Sequence, residues 1–212
     1  MEKFPREITL SRHSGEEKQF VIRKCVETDL YDILKLQRKI YDDLSDPGQY
    51  ALVDEEDILE SLKQDFCLGV YQDASERPKK MDWGAFFSGL RSNSENAEGN
   101  GPRLVAFTMM IVNRVSRRNY GTLVGYTPEQ QKKCVSMEIT IVDGPQRGFG
   151  MQQLFVRLRE EAAREMGATE AMVTIGPENK YSLSNLQKAG YEIIDTRVLY
   201  EGAERHILRK QL

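Results

Sequence analysis

The sequence predicts a mixed α/β layer, and three observations predict it. Segments with the strict alternation of strands and segments with helical spacing follow one another in the order β-α-α-β-β-β-α-β-α-β-β, without internal repeats. The apolar content suits a packed core: 40% of the 212 residues are hydrophobic, and the 16 glycines raise the share to about 48%, inside the globular range. A glycine-rich turn, Asp143 to Gly150, joins the most regular strand to the longest helix.

Residues 1–18 are polar and aperiodic and read as an N-terminal arm of open order, with one domain over 19–212. Phe20 and Ile22 alternate with Val21 and Arg23 in a first strand. Thr28 or Asp29 offers an N-cap, and Leu30, Ile33, Leu34, Gln37, Ile40 and Tyr41 follow at helical spacing. After an Asp46-Pro47-Gly48 turn, the charges Asp54 to Asp57 open a second helix that carries Ile58, Leu59, Leu62 and Phe66 on one face. Cys67–Tyr71 and Leu104–Asn113 read as strands. The insertion between them, about 73–102, carries Trp83, Phe86, Phe87 and Leu90 at the spacing of a short apolar helix, a satellite cluster or a substrate pocket. A second insertion, about 114–132, is basic and irregular.

In the next strand, Cys134, Ser136, Glu138, Thr140 and Val142 alternate with the apolar row Val135, Met137, Ile139 and Ile141, which predicts one core face and one mixed face. The long helix after the glycine turn points Met151, Leu154, Phe155, Leu158, Ala162 and Met166 inward and ends at Gly167. Ala171–Ile175 is a strand, Asn179–Lys188 a helix stopped by Gly190, and Tyr191–Val198 and Arg205–Arg209 close the order.

Composition excludes several classes. Thirty Lys and Arg against 33 Asp and Glu, interspersed, argue against a general nucleic-acid binder, whose affinity comes mainly from neutralising phosphates. No apolar run approaches the roughly 20 residues of a membrane span, and the charged first residues carry no signal-peptide core. Cys25, Cys67 and Cys134 are far apart and odd in number, the usage of a reducing cytoplasm. His13 and His206 lie at opposite ends, so no metal is expected.

The chemistry concentrates in Arg147-Gly148-Phe149-Gly150-Met151-Gln152, between a strand and a helix. Glycines let a backbone approach a ligand closely, and the N–H groups of a helix N-terminus point at an anion, so a pyrophosphate is a natural guest beside the plain reading of a tight turn. The dinucleotide fingerprint fails for want of a third small residue, Gln153 standing there, and no Gly-Lys-Ser/Thr follows as a phosphate loop requires.

Ile141-Val142-Asp143 followed by this loop resembles the Val-Asp…Arg/Gln-x-x-Gly-x-Gly/Ala segment of the GCN5-related N-acetyltransferase (GNAT) family. Asn179-Lys180-Tyr181-Ser182 with Ala189-Gly190-Tyr191 is similar to that family's later Asn-x-x-Ala/Ser…Gly-Phe/Tyr segment. The resemblance covers nearly the whole chain apart from the arm and the two insertions. It implies a mixed, mostly antiparallel twisted sheet of about seven strands with helices on both faces. It also implies acetyl-CoA as co-substrate, held by Thr140, Val142, Arg147, Gly148, Phe149, Gly150, Met151, Gln152, Asn179 and Ser182.

Two positions depart from the family pattern. Gln152 replaces the loop's last small residue. Leu186 stands seven residues after Asn179, where many family members carry a tyrosine thought to protonate the departing thiolate; Tyr181 or Tyr191 would have to replace it. An attacking amine must lose a proton, and Glu138, two residues before Thr140, is the expected acceptor of it; the plain alternative is an ion-paired strand carboxylate. Asn179 is also a natural helix N-cap, and Arg114, Arg117 and Arg118 read as a solvated basic edge or as a grip on the 3′-phosphate of CoA.

The resulting expectation is an N-acetyltransferase acting on a primary amine of a small molecule, peptide or protein, with a homodimer left open and no nucleic-acid or membrane partner. The alternative is a non-catalytic acyl-CoA-binding or sensing module on the same fold.

Overall fold

The computed structural model describes residues 4–44, 50–72 and 102–212. The Asp46-Pro47-Gly48 turn and the Trp83 helix lie outside the described residues. Eight described strands form one sheet: β1 (Arg6–Ser11), β2 (Glu17–Lys24), β3 (Phe66–Gln72), β4 (Arg103–Ile111), β5 (Cys134–Val142), β6 (Glu170–Ile175), β7 (Glu192–Leu199) and β8 (Ala203–Gln211). Their spatial order is β1-β2-β3-β4-β5-β6-β8-β7, and only the β5–β6 pair is parallel. The extra strand beyond the expected seven is β1. Ile8 and Leu10 alternate between exposed neighbours and pack, half-buried, against the core, so the segment read as an arm is the outer half of a hairpin with β2.

Helices α1 (Leu30–Asp42) and α2 (Glu55–Gln64) cover one face of the sheet, where Ile33, Leu36, Ile40 and Ile58 meet Cys67, Phe107, Met109, Ile139 and Ile141. Helix α4 (Met151–Glu165) covers the other, where Met151, Phe155, Leu158 and Ala162 meet Phe20, Ile22, Leu68, Val70, Met110, Val135 and Met137. Met166, expected to point inward, is exposed because the helix ends at Glu165 and the chain turns out through Gly167, whose φ is +80°. Helix α5 (Lys180–Lys188) lies beside α4 and buries Leu186 in the same core. The second insertion holds a 3-10 turn over Tyr120–Val124 and a short helix α3 (Pro128–Gln131), capped by Thr127.

One irregularity overturns the two-face reading of β5. Thr108 pairs with Thr140, but two residues on, Met110 pairs with Met137, so β5 carries one extra residue in a bulge. Val135 and Met137 therefore face α4, while Ile139 and Ile141 face α1 and α2. Glu138 and Ile139 share the α1/α2 face, and the side chains of Thr140 and Val142 turn to the α4 face. A single inserted residue exchanges faces because the strand period is two.

Candidate functional site

The site forms where β5 and β6 part. They pair only at Cys134, Val135 and Ser136, after which the edge of β5 facing β6 has no described strand partner. Asp143 N–H donates to Val105 O on β4 at 2.9 Å, which fixes the backbone alternation from Ile141 to Asp143. Ile141 points its amide at β4, and Thr140 and Val142 point theirs into the gap. The Val142 carbonyl on that side accepts from Arg147 Nε at 3.3 Å. Two expected backbone contacts thus stand on one open strand edge.

The glycine loop stands at the mouth of this gap. Gly148 and Gly150 have φ of +89° and +73°, left-handed conformations that L side chains adopt at a cost, and Gly150 is the N-cap of α4. Phe149 and Met151 bury their side chains in the core, Phe149 edge-on to Phe20 with ring centroids 5.7 Å apart, so only their backbones can meet a ligand. Asp143 anchors the loop. Its carboxylate is buried and bonded by Lys39 at 2.5 Å and Arg103 at 2.6 Å. Burial pushes that carboxyl up, but the two cations outweigh it and hold it below the usual range.

On α5, Asn179 caps the helix by accepting from Ser182 N–H at 3.2 Å, and its side-chain NH2 has no partner among the described residues. Gln152 reaches α5 as well, accepting from Asn185 Nδ2 at 2.7 Å, while Asn185 Oδ1 accepts from Gln153 at 3.2 Å. The residue that departs from the family pattern thereby ties the N-terminus of α4 to the second half of α5.

Glu138 lies on the opposite face, toward α2, with 11% of its side chain exposed. Arg118 grips both its oxygens, Nε to Oε1 at 3.1 Å and Nη2 to Oε2. The arginine also donates to Asp57 O at 2.7 Å and Ser61 Oγ at 3.0 Å, both on α2. Burial raises the Glu138 carboxyl above its ordinary range, Arg118 pulls it back in part, and Asp57 and Asp65 add to the rise.

Arg118 is therefore no solvated edge residue. Asn119, fully buried, holds its loop by donating to Arg114 O, Gln131 O and Cys134 O and accepting from Gly121 N–H. Arg114 is bound to Asp65 and Glu60, and only Arg117 is well exposed, paired with Asp57. This arrangement does not bring the three arginines to the glycine loop. The sequence signal for Arg118 was the adjacent Asn119-Tyr120-Gly121 turn, which a merely solvated edge would not need.

Neither substitute for the missing tyrosine is well placed. Tyr181 is 89% exposed, and Tyr191 is buried, with its hydroxyl pushed far up by desolvation. Leu186 occupies the tyrosine position as a core residue.

No protein-family profile matches the chain, and no curated protein matches it in sequence. Solved structures do match its fold. NAA60 of Arabidopsis thaliana, solved in complex with acetyl-CoA, superposes with a TM-score of 0.61 at 11% identity, over 91% of this chain and 98% of that one. A GNAT-family acetyltransferase from Streptococcus pneumoniae gives 0.59 at 10%, over 91% and 99%. The GNAT domain of S. lividans PAT gives 0.58 at 15%, over 97% of both chains. The fold is the GNAT fold.

Proposed function

We propose that this protein is an N-acetyltransferase that moves an acetyl group from acetyl-CoA to a primary amine of a small molecule, peptide or protein. The observation that carries the reading is the gap between β5 and β6, with the Thr140 and Val142 amides on one wall and a left-handed glycine loop opening a helix at its mouth. A thioester needs little else from a protein: an amide donor for the developing oxyanion, a cradle for the diphosphate, and a path for the amine proton.

In this reading the amides of Gly148 to Gln152 hold the pyrophosphate, with Arg147 at its edge. Thr140 N–H and Val142 line the acyl and pantetheine arm, and Asn179 and Ser182 border it from α5. Glu138 takes the amine proton through a water that reaches a lone pair left free by Arg118. The new C–N bond forms as the C–S bond breaks, and the sulfur leaves as thiolate. With Leu186 apolar, no tyrosine stands there to protonate it.

A second reading, an acyl-CoA-binding module without turnover, is favoured by one observation: Glu138 is already paired at both oxygens. Release of free thiol from acetyl-CoA across a panel of amines tests the two. Thiol release with some amine supports the transferase. Micromolar calorimetric binding of acetyl-CoA with no thiol release supports the module, and a preference for NAD over acetyl-CoA rejects both.

A further inference from the structure

Arg159 is an arginine inside the α4 core stripe, 2% exposed and with no carboxylate against its guanidinium among the described residues. Its three hydrogen bonds all go to backbone carbonyls: Nε to Phe155 O at 3.3 Å, and Nη1 to Met109 O at 3.2 Å and Ile139 O at 3.4 Å. Met109 and Ile139 are the residues of β4 and β5 at the bulge, where the ladder loses register. Ile139 O accepts a second bond there, from Thr108 Oγ1 at 2.7 Å, and Thr108 Oγ1 lies 2.9 Å from Thr140 Oγ1. A buried cation with no carboxylate in contact is costly, and here it is held by two carbonyls at the point where the β4–β5 ladder loses register.

The carbonyl of Ile139 and the N–H of Thr140 belong to one trans peptide and point in opposite directions. Two donors on the carbonyl, one of them charged, fix the tilt of that peptide plane from the β4 side and polarise the N–H at its other end. That N–H points into the gap between β5 and β6.

Resting on the acetyltransferase reading, we propose that Arg159, assisted by Thr108, is a positioning residue for acyl transfer: it locks and polarises the Ile139–Thr140 peptide so that Thr140 N–H serves as the oxyanion donor. The bulge and the arginine are then one device. The bulge breaks the register beside this peptide and directs Thr140 N–H to the gap, and the guanidinium keeps the peptide from relaxing. Arg159 acts from behind the strand, through the backbone, without touching the thioester.

The test uses acetyl-CoA labelled at the carbonyl carbon and reads the thioester carbonyl stretch of the bound molecule by isotope-edited infrared spectroscopy, beside steady-state kinetics. The intact protein should shift the stretch to lower frequency. Arg159→Met should lose most of that shift and about 10-fold or more in kcat, with KM for acetyl-CoA nearly unchanged, and Arg159→Lys should restore part of both. Thr108→Val removes the second donor at nearly the same volume and should show a smaller loss of the same kind, which keeps the test open if Arg159→Met does not fold. An unchanged stretch in a folded Arg159→Met or Thr108→Val variant overturns the proposal. No binding of acetyl-CoA to the intact protein overturns the acetyltransferase reading instead.

Discussion

Glu138 and Asp143 are carboxylates of opposite character within five residues of one another. Glu138 is raised by burial, and if it takes the amine proton, Glu138→Gln should lower kcat/KM by about 10²–10⁴-fold, with the loss shrinking at high pH where the amine is already neutral. The ionised form is the base, so kcat/KM should climb with pH through a value above the ordinary carboxylate range. Arg118→Met removes the group that pulls the carboxyl down and should move that limb to higher pH, a shift visible in the rate profile of any folded sample. Full activity of Glu138→Gln at neutral pH would leave Glu138 as the structural partner of Arg118. Asp143 runs the other way. Its carboxyl is depressed in the folded state, so its contribution is present above the unfolded value near pH 4 and is lost as pH falls through the folded one. Asp143→Asn should cost about 1–3 kcal/mol at neutral pH in denaturant unfolding, and progressively less as pH falls below the unfolded value.

At the scale of elements, the glycine loop and the 114–124 loop carry opposite designs. The first is an arrangement of backbone held in left-handed conformations. At Gly150 a Cβ would meet nothing closer than Gln153 Oε1 at 3.5 Å, so Gly150→Ala is penalised by conformation rather than by space. The cost should be about 1–2 kcal/mol, and acetyl-CoA should bind more weakly in a calorimetric titration as the amides rotate. The second loop is built from side chains. Asn119→Ala removes its four hydrogen bonds and leaves buried backbone carbonyls unmet, which should destabilise the protein by at least about 2 kcal/mol and release Arg118 from Glu138. A thermal melt reads the first effect. An altered rate profile matching that of Arg118→Met reads the second.

For the whole molecule, the sheet is one continuous surface of β1 to β8 with a local opening at β5 and β6, so ligand at the opening should stabilise the fold as a unit. Acetyl-CoA at 100 times its Kd should add about 2.7 kcal/mol and raise the melting temperature, whereas NAD should leave it unchanged. A melting temperature indifferent to acetyl-CoA would place the opening outside the chemistry proposed for it. The β1–β2 hairpin bears on the same end of the sheet. Its Arg12 stacks 4.4 Å from the Phe149 ring centroid and donates to Pro145 O, so the N-terminal strand also steadies the glycine loop.

Legible along the chain were the order of strands and helices from β2 onward, most core residues of α1, α2 and α4, the glycine loop and the Asn179 cap. Each of these is a local matter of period, propensity or backbone freedom that neighbouring residues settle among themselves. The face that Glu138 shares, the destination of Arg118 and the tolerance of Arg159 in a core depend on how the strands and loops pack. The alternation of β5 reads as unbroken from Cys134 to Val142, because a bulge is a property of two paired strands and leaves no mark in one of them. Arg118 lies 20 residues before Glu138, and Arg159 lies 20 residues after Ile139. A charged side chain in the interior is selected by the carboxylate or carbonyl that folding brings to it, and that partner is not within reach of any pattern along the chain.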